Sequence, residues 1–295
     1  MSRSVTVGVD GSNESLAAAE WAAREARLRG LPLRLVYVWE PERYIQAPLL
    51  GGETLQHWAE RIPRDTAEEL RLRHPDMEIT SDQVAGRPGT VLADEARGAE
   101  LLVLGSRGLS SVAGFMVGSV GMATVAHTQR PVVLVRAEHK AEDERAPRPT
   151  ATRPVVLGLD TEHPDDSVIE FAFDAAARSA TALHVVHGWN LPPHFAYGLP
   201  ADPRMNAQLA AQEADSLAET LRPWRQKFPA VEVVERSRSG KPAHHLVDAS
   251  HDASLVVVGR RTRRTRRSPL GAHIGPVTHA VLHHATSPVA VVPHD

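Results

Sequence analysis

The chain is one sequence written twice, and this constrains its fold more than any local motif. Val5-Thr6-Val7-Gly8-Val9-Asp10 returns as Val155-Val156-Leu157-Gly158-Leu159-Asp160. Leu101-Leu102-Val103-Leu104-Gly105 returns as Leu255-Val256-Val257-Val258-Gly259, and Pro131-Val132-Val133-Leu134-Val135 returns as Pro288-Val289-Ala290-Val291-Val292. A repeat of this length fixes the unit that folds, and the unit is about one domain in size, so a two-domain tandem is expected rather than a solenoid.

Composition agrees. A length of 295 residues suggests about two domains, and 42% hydrophobic residues suffice for ordinary cores. The net charge of −3 gives no global field toward nucleic acid or membranes. With 0 cysteines, disulfides, thiolate catalysis and cysteine-ligated metal drop out. The start, Met1-Ser2-Arg3-Ser4, runs straight into a strand-like segment without a signal peptide. Without an apolar run long enough to span a bilayer, a cytoplasmic protein is expected.

Short apolar runs alternate with longer amphipathic ones. In the first copy, strands are expected near 4–9, 33–38, 78–84, 101–105 and 132–136, and helices near 13–29, 54–73, 89–97 and 118–128. In the second, strands are expected near 154–159, 182–187, 231–237, 255–259 and 289–293. Uninterrupted runs such as Leu101 to Leu104 suit strands covered on both faces. The alternation predicts an α/β fold, doubly wound, with two copies of a parallel sheet and helices on both faces. Asp10-Gly11-Ser12 reads as a turn and helix cap, followed by an apolar stripe of Leu16, Ala19, Ala23 and Ala26. The domains are expected at 1–137 and 154–295. Residues 138–153, mixed in charge and without periodicity, form the linker.

In a doubly wound sheet, ligands sit beyond the carboxyl ends of the strands, so the loops after the first and fourth strands carry the chemistry. After the fourth strand come Gly105-Ser106-Arg107-Gly108, nine residues including Ser110, then Gly118-Ser119-Val120. Glycines let the backbone approach a ligand without an intervening Cβ. Gly118-Ser119 opens a helix whose free N–H groups suit an anion. The Ser119 hydroxyl is one more donor, and Arg107 is a candidate phosphate partner. Against this stands a plain structural reading, because glycines serve turns and serine is an ordinary cap.

The spacing Gly105-x2-Gly108-x9-Gly118-Ser119 resembles the ATP-binding motif of the universal stress protein family. Gly8-Val9-Asp10-Gly11-Ser12 and the strand ending Tyr37-Val38-Trp39 match that family's pattern too, and the resemblance covers both copies. It implies a five-stranded parallel sheet and an adenine nucleotide, ATP, as cofactor, with Mg2+ an open addition. It also implies that Gly8, Asp10 and the Val38 backbone meet the adenine and ribose end. Gly105, Ser106, Arg107, Gly108 and Ser110, with Gly118, Ser119 and Val120, would cradle the ribose and phosphates. The residues alone give an anion at a helix N-terminus, and the word ATP comes from the family.

The second copy departs from the pattern. Thr262 stands where Gly108 stood, and alignment back from Pro288 sets Gly275-Pro276 opposite Gly118-Ser119, with three extra residues in the loop. A gapless alignment from Gly259 would set Ala272-His273 there instead. Pro276 suits the first helical turn but removes an N–H and the hydroxyl. Hydrogen bonds to charged groups are worth about 1.5–3 kcal/mol each, so losing two weakens binding by about a hundredfold or more. Gly188 replaces Val38, and the copy reads as degenerate or adapted to another ligand.

Three further features read as structural. Arg260, Arg261, Arg263, Arg264, Arg266 and Arg267 form a solvated loop, for without interleaved aromatics nucleic acid is not expected. His279 and His283 lie one helical turn apart without a third ligand at useful spacing, so a helix surface is the reading and no metal is assigned. Trp21 and Phe171 occupy equivalent repeat positions and read as core.

The leading function is a regulatory nucleotide binder of the universal stress type acting in the stress response, and not an enzyme. The rivals are a slow ATPase or nucleotidyl-transfer enzyme on the same fold, and an interaction module for nucleic acid or protein built on the Arg loop. Neither a Gly-x4-Gly-Lys-Ser/Thr loop nor a His-Glu-x2-His motif supports the enzyme. The apolar terminal strands Val132 to Val135 and Val289 to Val292, together with the resemblance, lead us to expect that the copies pair as a pseudo-dimer, with a homodimer of chains as an option. Small-angle scattering should show one compact particle, and two beads joined by an extended linker would contradict the expectation.

Overall fold

The computed structural model describes residues 3–40, 52–106, 117–137, 153–190, 203–262 and 274–295. They divide into two compact units, one holding residues 3–137 and the other 153–261 and 274–295.

Unit 1 alternates as expected: β1 (Ser4–Gly8), α1 (Asn13–Arg29), β2 (Leu33–Trp39), α2 (Gly52–Arg73), β3 (Ile79–Ala85), α3 (Pro88–Glu95) with a 3-10 turn at Ala96–Gly98, β4 (Ala99–Ser106), α4 (Ser119–His127) and β5 (Val132–Arg136). The strands pair in parallel in the order β3-β2-β1-β4-β5. The order reverses between β1 and β4, and this opens a crevice above their carboxyl ends. Val5, Val7, Leu101, Leu102 and Val103 are fully buried, as befits strands covered on both faces. At the edge, β3 buries only Ile79 and carries exposed Asp82, a feature that discourages pairing with another sheet.

Unit 2 repeats the plan with β6 (Val155–Gly158), α5 (Asp166–Arg178), β7 (Leu183–Trp189), α6 (Pro203–Lys227), β8 (Val233–Ser239), α7 (Pro242–Ser250), β9 (Leu255–Arg261), α8 (Pro276–His284) and β10 (Val289–His294). Its order is β8-β7-β6-β9-β10, again parallel. Among the described residues no helix is long and apolar enough to cross a membrane.

Three expectations about burial are corrected. The inner face of α1 is Ser15, Ala18, Ala19, Ala22, Ala23 and Ala26, while Leu16 is 37% exposed. At about 100° per residue, Leu16 falls beyond the stripe that Ala19, Ala22 and Ala26 define. Trp21 and Phe171 are half-buried rather than core. The aromatic core of unit 2 is Phe173 instead, stacked on Trp224 at 6.1 Å and Phe228 at 5.4 Å between ring centroids. Arg260 and Arg261 belong to β9 rather than to a loop, because pairing with Pro293 and His294 of β10 extends the ladder. Arg260 is buried, and that burial lowers its pKa from the ordinary arginine value. Arg263, Arg264, Arg266 and Arg267 lie outside the described residues, as does most of the expected linker 138–153.

The small side chains of α1 let its start descend onto β4. A Cβ added to Gly105 would lie 2.6 Å from the carbonyl carbon of Glu14 and 2.8 Å from the Ser15 nitrogen. Both are backbone atoms of the helix, so neither can turn aside. Gly105→Ala should lower unfolding stability by about 1–3 kcal/mol, the usual range for overpacking. Urea denaturation of the variant tests this, and an unshifted midpoint would show that α1 yields freely.

Candidate nucleotide site

The β1–α1 loop is built by its own side chains. Asp10 Oδ1 accepts from the Ser12 N–H at 3.0 Å and from the Ser12 hydroxyl at 2.5 Å. Gly11 sits between them at φ 81°, a left-handed conformation that favours glycine. Ser12 then caps α1 by accepting from the Ser15 N–H at 3.2 Å. The result is a tight turn that presents Asp10, exposed, at the carboxyl end of β1. Gly8 below it answers to packing, since a Cβ there would sit 2.7 Å from Leu104 Cδ2 and 3.2 Å from Leu92 Cδ2.

Val38, half-buried near the end of β2, pairs with Val84 of β3. The Trp39 carbonyl beyond it accepts from the Gly86 N–H at 2.8 Å, and Gly86 adopts φ 141°. Asp10 and Val38 thus stand at the carboxyl ends of adjacent strands, where the resemblance places the adenine and ribose end.

At the carboxyl end of β4 the roles separate. Gly105 is demanded by the approach of α1. The Ser106 side chain is buried, and its hydroxyl donates to the Val135 carbonyl at 3.2 Å. Arg107, Gly108 and Ser110 lie outside the described residues. Arg136, paired in register with Ser106, places a further cation at the carboxyl end of β5, and burial lowers its pKa to about 10. It stays charged at neutral pH, yet nothing in its strand setting marks it as a site residue at the level of sequence.

Gly118 behaves differently from Gly105. It is the N-cap of α4 at φ −61° and ψ 157°, values open to any residue, and a Cβ there would meet no atom of the described residues within 4 Å. Neither the backbone nor the packing of the described residues requires glycine. Ser119 and Val120 are exposed in the first turn. The helix itself is tied down by the Thr124 hydroxyl, which donates to the Val120 carbonyl at 2.8 Å.

Unit 2 keeps this backbone and changes its chemistry. Gly275 caps α8 at φ −61° and ψ 156°, matching Gly118, and Pro276 takes the first helical position. The alignment of Gly275-Pro276 with Gly118-Ser119 is therefore the one the fold uses. The β6–α5 loop is longer, for Asp165 rather than a residue near Asp160 caps its helix. The Asp160 turn survives, with Oδ1 accepting from the Glu162 N–H at 3.1 Å. Gly188, in the place of Val38, is fixed by α7, since a Cβ would lie 2.6 Å from Pro242 Cα. Ligand atoms of Asp160, Glu162 and His163, all exposed, lie within 4.8 Å of one another.

The sequence reading missed His187. It is buried in β7, with Nδ1 3.1 Å from the Leu159 carbonyl and Nε2 3.0 Å from Glu213 and 3.3 Å from the Thr161 hydroxyl. A carbonyl only accepts, so Nδ1 carries a proton and donates. The counterparts of Thr161 and His187 in unit 1 are Gly11 and Tyr37. Arg71 and Arg225 donate to the Ile79 and Val233 carbonyls in the same manner, which sets Glu213 opposite Ala59. Three positions that differ from unit 1 form one hydrogen-bonded group at the carboxyl ends of β6 and β7. The signal available in the sequence was a histidine facing inward in a buried strand. Glu213→Ala leaves His187 buried without its carboxylate and should lower the stability of unit 2 by about 1–3 kcal/mol. Thermal melts monitored at Trp224 check this, and an unchanged melting point would make the contact incidental.

Comparison with known proteins agrees with this geometry. The model of the universal stress protein family matches residues 1–136 and 151–293. A universal stress protein of Mycobacterium tuberculosis is 33% identical over 295 residues, covering 97% of this chain and 96% of the relative. One from Mycolicibacterium smegmatis is 31% identical, covering 98% and 96%. Among solved structures, a universal stress protein from Archaeoglobus fulgidus superposes with TM-score 0.68 at 17% identity, covering 99% of this chain and 98% of that one. With two matched segments that together span nearly all its length, the chain belongs to the universal stress protein family, in its tandem two-domain form.

Proposed function

We propose that unit 1 binds one adenine nucleotide, ATP, across the carboxyl ends of β1, β2 and β4, and that the chain is a regulatory binder rather than an enzyme. The observation that carries this reading is Gly118. A glycine that neither φ nor the packing of the described residues requires stands at the N-cap of α4, with the exposed Ser119 hydroxyl beside it. Helix-start N–H groups with a hydroxyl alongside suit a phosphate. The Asp10 turn and the Val38 backbone stand at the other end, where the ribose and base would lie.

The same reasoning sets unit 2 apart. Pro276 lacks an N–H at the position of Ser119, and His187, Glu213 and Thr161 form a hydrogen-bonded group where unit 1 has Tyr37 and Gly11 at the first and last of these positions. Tight binding of a second adenine nucleotide is not expected there. Asp10, already engaged by Ser12, is poorly placed to act as a general base, and this favours binding over turnover.

Titration calorimetry of the full chain with ATP, with and without Mg2+, should give one tight site. Gly118→Leu should weaken it by about a hundredfold, as expected for two lost hydrogen bonds to charge, with circular dichroism unchanged. Two equivalent tight sites, or full affinity in the variant, would end this reading. Steady ADP release from bound ATP would favour the ATPase.

A further inference from the structure

We propose that His279 and His283 form a chelate for a divalent transition-metal ion of the zinc, nickel or copper kind on α8. The two residues are one helical turn apart, and their rings come together at 4.4 Å between centroids with 37° between the planes. Neutral imidazole binds such ions through a ring nitrogen at about 2.0–2.1 Å. Two tilted rings side by side across one turn can offer their nitrogens to the same ion, with water completing its shell.

The surroundings suit this chemistry. His279 is exposed, so an ion can reach it. Desolvation, followed by the neighbouring His283 and His284, lowers the His279 pKa below the ordinary histidine value. A neutral imidazole has a ring-nitrogen lone pair to give to such an ion. A borderline ion is preferred over Mg2+ or Ca2+, because nitrogen donors select it and hard cations require oxygen.

The pair belongs to unit 2 alone. With Gly275 matched to Gly118, the corresponding residues of α4 are Met122 and Ala126. His284 has a counterpart, His127, in unit 1, and the pair itself does not. The helix whose start has lost its phosphate donors has thus gained two nitrogen ligands one turn further on. The proposal stands apart from the nucleotide reading, since no nucleotide enters it.

The test uses the full chain without a histidine tag. Zn2+ is titrated by calorimetry, and Co2+ is followed by its visible absorption. His279→Met and His283→Ala introduce the residues of unit 1 and so preserve the fold. Each should weaken binding about tenfold or more, as expected when one of two protein ligands is removed. His284→Ala should leave binding unchanged, as should Glu162→Gln with His163→Gln, which removes two of the three exposed groups at Asp160. Absence of Zn2+ binding, binding that survives both helix variants, or binding lost only at Glu162 and His163 would each overturn the proposal.

Discussion

The start of α1 rests on the backbone of Gly105, and the crevice of unit 1 depends on that contact. With any side chain at Gly105 the helix would lift from β4, because the opposing atoms are the Glu14 carbonyl and the Ser15 nitrogen. The alanine face of α1 permits the approach, and the turn at Asp10, Gly11 and Ser12 connects the strand to the helix over that short distance. Gly259 fills the same place in unit 2, with Val168 and His294 close above it. What differs is the neighbour: a helix backbone in one unit, side chains in the other.

Two glycines of one motif thus have opposite reasons to exist. Gly105 is held by packing, so its presence says that the fold is intact and little about a ligand. Gly118 is held by nothing among the described residues, and that is why it is informative. Ser106 shows a similar division, for its hydroxyl is engaged with the Val135 carbonyl while its backbone ends the strand. A residue inside a binding motif can serve the scaffold, and only the surroundings tell which.

Duplication gives the chain two frames with the same strand order and the same helix-start geometry at Gly118 and Gly275. Divergence has then acted on polar groups and on helix packing, where buried Phe173 stands opposite Ala23, and has kept the strands. A proline replaces a donor, a loop lengthens, and a buried histidine gains a carboxylate and a hydroxyl. Val155 to Leu157 and Val256 to Val258 stay buried and keep the sheet.

The sequence by itself determined the repeat, the strand and helix order, the parallel sheet and the position of the crevice. These follow from periodicity, which is local: Asn13–Arg29 and Val132–Arg136 lie where the pattern puts them. The family, too, was legible, since glycine spacing is written in the chain. Burial direction was not. Leu16 faces outward, Phe173 rather than Phe171 fills the core, and Arg260 continues a strand, because a neighbour distant in sequence decides each. Nor could the sequence bring Thr161, His187 and Glu213 together, or press His279 against His283 at 4.4 Å. Those contacts depend on side-chain direction and on the packing of α6 and α8, which only the tertiary structure supplies.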